Sequence, residues 1–234
     1  MKKIQKEKVK KIFGIILLCT LIVSVGYALT MFILAPAEAS AEDPYQKIKT
    51  DYLLMLTQCF LGLIVMMLPT FISRKWNIVV PSTIVIMYYV FLYCAIYLGE
   101  VHDFYYKIAH WDDILHAFSG AMLGALGFIL VDLLNRSQNV RVQLSPFFVS
   151  VFAFCFALAV GALWEVYEFA FDAILGLNMQ KHTTEAGIAL VGNQAIFDTM
   201  WDIIVDSLAA FAVSVTGFFL ALGRKKMQSN KKDA

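Results

Sequence analysis

Six stretches of this chain are each apolar enough, over enough residues, to cross a lipid bilayer, and that leaves few ways for it to fold. They run from Phe13 to Ala35, Tyr52 to Ile72, Ile78 to Leu98, Ile114 to Leu134, Phe147 to Phe171 and Ile203 to Gly223. About 20 apolar residues span the hydrocarbon as a helix, and in lipid every backbone N–H and C=O must be paired within the protein. The expected fold is therefore all-α: a polytopic membrane helix bundle of about six transmembrane helices. Composition agrees, because 60% hydrophobic against 16% charged residues is more apolar surface than a soluble core absorbs.

Lysine and arginine set the orientation. Fifteen of the 19 lie in the N-terminal tail, the Arg74-Lys75 loop, the Arg136/Arg141 loop and the C-terminal tail, leaving Lys47, Lys49, Lys107 and Lys181 on the other side. Both termini are thus expected in the cytoplasm, with the chain in a bacterial-type plasma membrane. A net charge of +1 gives no footprint for nucleic acid. The Ala-rich run after the first stretch, Ala35 to Ala41, has the look of a signal-peptidase site. The apolar run before it exceeds a signal-peptide core of about 7 to 15 residues, so an uncleaved span is expected. Cys19, Cys59, Cys94 and Cys155 have neither disulfide nor zinc spacing and read as small buried hydrophobes.

Fifteen of the 18 acids lie on or near the outer face, and the last three spans carry nearly all the ionisable groups at depth. The division this suggests is a cytoplasmic tail (1–12), a three-span scaffold (13–109), a three-span half with the polar site (110–223) and a second tail (224–234). Span four opens with Trp111-Asp112-Asp113-Ile114-Leu115-His116, with Asp112 and Asp113 one turn before the histidine. Span five ends with Trp164-Glu165-Val166-Tyr167-Glu168, followed at the same period by Asp172. Span six opens with Asp198, Asp202 and Asp206 at intervals of four. Asp198 suits the positive end of a helix, but Asp206 lies beyond the first turn, and Glu165 and Glu168 sit near a helix C-terminus, where negative charge is disfavoured. Trp111, Trp164 and Trp201 mark the interface. Gly120 and Gly124, with Ser119 and Gly127 nearby, form a small-residue face for close helix packing.

With no lysine or arginine in the outer halves of these spans, the acids need protons or a bound cation. Carboxylates with an imidazole suit a divalent metal such as Mg, Mn, Fe or Zn. The expected ligands are Asp112, His116, Glu168, Asp202 and Asp198, with Glu165 or Asp206 as general base. His102, His110, His182, Asp103 and Glu185 are candidate outer ligands or gates.

These motifs, with the Asp198-Thr199-Met200-Trp201-Asp202 segment, resemble the YjdF-like inner-membrane proteins over about half the chain, and more distantly the VanZ-like proteins linked to glycopeptide resistance. Asp112, His116, Glu165, Glu168, Asp198, Thr199 and Asp202 match the YjdF-like pattern. Gly192-Asn193-Gln194 is a variant of its Gly-Thr-Gln element, and Met200 departs from the usual glutamine. The resemblance implies a shared polar site in a family whose chemistry is open.

The expected function is a cation-binding site at the outer membrane face that performs metal-assisted hydrolysis or transfer on a lipid-linked substrate. A proton- or cation-coupled transporter is the alternative; the absence of a repeat and of proline-broken helices counts against it. A noncatalytic scaffold or resistance factor is the third reading. Partners beyond the bilayer and oligomeric state are not legible.

Overall fold

The computed structural model describes residues 3–40, 42–43, 45–76, 79–136, 144–184 and 186–230. Arg141 and Glu185 lie outside the described residues. Among the described residues eight α-helices follow in order: α1 (Lys3–Leu34), α2 (Lys49–Val65), α3 (Leu68–Trp76), α4 (Ser82–Leu92), α5 (Phe104–Lys107), α6 (Trp111–Arg136), α7 (Pro146–Leu175) and α8 (Phe197–Asn230). A π-helical segment, Tyr93–Val101, continues α4. Six helical stretches among the described residues are long and apolar enough to cross a membrane: Ile4–Leu34, Lys49–Lys75, Ser82–Val101, Trp111–Leu134, Pro146–Leu175 and Phe197–Arg224.

The chain forms two compact units, and the boundary between them falls inside α6 and α7. Unit one comprises Met1–Leu115 with Phe171–Leu190, and unit two comprises His116–Ala170 with Val191–Ala234. In unit one, α1, α2, α4 and the π-helical segment meet around Leu17, Leu21, Met55, Cys59, Leu92 and Ile96. Gly62 permits this, since a Cβ there would lie 2.6 Å from Ile96 Cδ1 and 3.2 Å from Leu21 Cδ1.

The second span is not one helix. Proline lacks an N–H, so Pro69 cannot donate to the carbonyl of Val65 four residues back, and the helix breaks at Met66-Met67. Tyr88 of α4 supplies the missing donor, its hydroxyl donating to Val65 O at 2.9 Å. This corrects the expectation that no helix is proline-broken. The thiols also differ from expectation: Cys59 is buried, Cys94 half-buried, and Cys19 and Cys155 exposed.

The end of α7 is finished by its own side chains. Gly176 takes a left-handed φ of 64° after the last turn, its N–H reaching Asp172 O at 2.9 Å. The Asp172 carboxylate then accepts the backbone N–H groups of Met179 (2.8 Å) and Gln180 (3.0 Å). Asn178 closes the loop further, donating to Thr183 O and accepting from Thr183 N, each at 2.9 Å.

Tyr88→Phe should cost about 0.5 to 1.5 kcal/mol, the net contribution of one hydrogen bond. In a Pro69→Ala background, where the backbone can donate again, the same change should cost much less. Thermal unfolding of the four proteins in detergent checks this, and equal costs in both backgrounds would contradict the assignment.

Candidate metal centre

In unit two the buried positions of each helix form a single stripe. On α7 they are Ser150, Ala153, Ala157, Gly161, Glu165 and Glu168, and on α8 Asp202, Asp206, Ala210 and Ser214. On α6 they are His116, Gly120, Gly124, Gly127 and Val131. Every stripe is therefore small-residued at one end and polar at the other. The spacing of three and four keeps each stripe on one helical face.

The small residues set the approach. A Cβ on Gly120 would lie 2.6 Å from the Asp206 carbonyl oxygen, and one on Gly127 would lie 2.6 Å from Ala153 Cα. A Cβ on Gly161 would lie 2.7 Å from Asp206 Oδ2. These contacts fix a register: Gly120 of α6 and Gly161 of α7 both flank Asp206 of α8. One turn along, about 6 Å by helical rise, the same faces bring His116, Glu165 and Asp202 to the next level. A further turn reaches Glu168 and Asp198.

Asp206 is held at the inner level. Ser119 Oγ lies 3.0 Å from Asp206 Oδ1 and 2.9 Å from the His116 carbonyl. His116 Nδ1 lies 3.3 Å from Asp206 Oδ2, while its Nε2 lies 3.6 Å from Asp202 Oδ2. Both aspartates are almost wholly enclosed, at 4% and 2% exposure. The two contacts differ in kind. At 3.3 Å, Nδ1 is within hydrogen-bonding reach of Asp206. At 3.6 Å, Nε2 is too far from Asp202 for a good hydrogen bond, yet near the separation of two donors sharing one ion at about 2.1 Å from each.

The expected site residues are placed as follows. His116, Glu165, Glu168, Asp202 and Asp206 are buried in unit two, and Asp198 is half-buried in the first turn of α8. Asp112 stands one turn before His116 on the same face of α6. Asp172 leaves the acidic stripe for a structural task, holding the loop after α7 and lying 3.4 Å from His182 Nδ1. His110 Nδ1 lies 2.6 Å from Asp113.

Lysine is not absent from the acids, contrary to expectation. The Lys181 ammonium donates to the Asp112 carboxylate, and Lys181 itself takes a left-handed φ of 47°. The loop after α7, rather than a membrane span, brings the cation. Sequence reading also passed over Ser119 as merely small and missed Gly161. Their spacing was a usable signal: Ser119 stands three residues after His116, and Gly161 four before Glu165.

A family model described as Predicted membrane protein (DUF2238) matches residues 20–222. The chain belongs to that family. The YjdF-like resemblance agrees with this membership, while the VanZ-like one is not carried by the matches. An uncharacterized protein of Thermotoga maritima is 28% identical over 127 residues, which is 54% of this chain and 57% of that protein. The match thus spans little more than half of the relative's length. No solved structure matches.

The glycines should not be equivalent. Gly120→Ala drives a Cβ into α8 backbone and should cost about 1 to 3 kcal/mol, the range for overpacking. Gly124→Ala meets nothing closer than 3.4 Å and should be nearly neutral. Unfolding midpoints in detergent check the order.

Proposed function

We propose that the polar end of the α6, α7 and α8 stripes is a divalent-cation site of a bacterial plasma-membrane protein, opening to the outer face. Asp112, His116 and Asp202 form its donor set of two carboxylates and one imidazole, a combination suited to Mn, Fe or Zn. The observation that carries the reading is the unequal pair of contacts on His116. Asp206 lies within hydrogen-bonding reach of Nδ1, and Nε2 faces Asp202 at a separation that one shared ion would span. A carboxylate behind a metal-binding histidine in this way orients the ring and raises its basicity.

An ion at this level supplies Lewis acidity and an activated water, and a site at headgroup depth meets lipid-linked substrates. Glu165, one turn from Gly161 on the α7 stripe, takes the general-base role, while Asp206 acts through His116. Glu168 and Asp198, at the outermost level, are the remaining carboxylates that an incoming ion or substrate meets. Charge asymmetry along the chain supports cytoplasmic termini.

The test is Mn2+ and Zn2+ titration of the full chain in uncharged detergent, with metal analysis and circular dichroism to verify folding. His116→Ala and Asp202→Ala should lower affinity by roughly two orders of magnitude or more, and Asp206→Asn by about 10- to 100-fold. A wild-type protein that binds no stoichiometric divalent ion, or folded variants that bind as well as wild type, sinks the reading.

Lys181 competes with the ion for Asp112. Removing its charge with Lys181→Gln should raise Mn2+ affinity by about tenfold, since a like charge some 5 Å away costs about 1 to 3 kcal/mol at intermediate dielectric. Unchanged or weaker binding would place Asp112 outside the ion's shell.

A further inference from the structure

A second site lies in unit one, at the basic end of α1. Lys10, Lys11, Gly14, Ile15, Leu18, Met66 and Tyr89 line an open groove of about 290 Å³ between α1, the end of α2 and α4. Its walls are fixed. The Glu7 carboxylate accepts the Ser82 hydroxyl, and Lys6 Nζ donates to Thr83 Oγ1 at 3.1 Å, so the polar end of α1 is pinned to the start of α4. Lys10 Nζ lies 2.6 Å from Glu7 Oε2. Gly14 lies against the floor: a Cβ there would come within 3.1 Å of the Tyr89 ring, so the bare backbone lets the phenol lie close to α1.

The lining is graded along its length. Two ammonium groups stand at one end, Lys11 being exposed, and the remaining side chains are apolar but for the Tyr89 hydroxyl. A soluble anion would use the lysines and leave the apolar length idle. An acyl chain alone would leave the lysines idle, and a zwitterionic headgroup would bring its own ammonium toward them. An anionic phospholipid uses both ends.

We propose that this groove holds one anionic phospholipid, its phosphate on Lys10 and Lys11 and one acyl chain along Gly14, Ile15, Leu18 and Met66. Basic pockets between membrane helices bind anionic headgroups by the same division of labour. The lipid would also tie α1 to the α2 end and to α4, reinforcing the contacts at Glu7 and Lys6.

The experiment is native mass spectrometry of the full chain in uncharged detergent, titrated with phosphatidylglycerol or phosphatidylcholine of identical acyl chains. Wild type should retain one phosphatidylglycerol at least tenfold more strongly than phosphatidylcholine. Lys11→Gln, a change at an exposed side chain that leaves the Glu7 contacts alone, should weaken retention about fivefold, and adding Lys10→Gln should weaken it by a similar factor again. Excess inorganic phosphate should fail to displace the lipid. Equal retention of the two lipids, a Lys10→Gln/Lys11→Gln protein that retains phosphatidylglycerol as wild type does, or displacement by phosphate alone would each overturn the proposal.

Discussion

Direct contact between helix backbones is what the polar half of unit two depends on. Gly120 lies against Asp206, Gly161 under its carboxylate, and Gly127 against Ala153. Inside a bilayer there is little hydrophobic drive for helices to associate, so close van der Waals packing and interhelical hydrogen bonds must do it. Small residues permit the first and Ser119, His116 and Asp206 supply the second. The two are coupled by geometry: a side chain at Gly161 would occupy the space where the Asp206 carboxylate now rests.

That coupling bears on how such acidic helices are tolerated. An isolated carboxylate in hydrocarbon costs at least about 2.5 kcal/mol. Here Asp206 is met by a hydroxyl and an imidazole, and that imidazole faces a second carboxylate. Elsewhere the acids are met in other ways, Asp172 by two backbone N–H groups and Asp112 by a lysine from a loop. The same residue type thus serves as loop staple, ion-pair partner and histidine support within a few turns.

The spans were legible because lipid imposes length and hydropathy directly, and each of the six expected stretches overlaps a described helix long enough to cross. The polar stripes were legible too, since intervals of three and four are local. What the sequence hid depends on partners distant along the chain. Pro69 announces a break, but not that Tyr88 would donate to the orphaned Val65 carbonyl. Lys181 looked like a stray outer charge because its pairing with Asp112 needs the loop's left-handed turn. Gly161 looked like one glycine among 13 until its approach to Asp206 gave it a task.

The stripes of unit two change character abruptly. Beyond Asp206 they continue only as Gly124, Gly127 and Val131 on α6, Ala157, Ala153 and Ser150 on α7, and Ala210 and Ser214 on α8. None of these side chains is ionisable. Within unit two the buried ionisable groups are thus gathered at one end of the helices, while at the other end near-bare backbones lie against each other, as Gly127 does against Ala153.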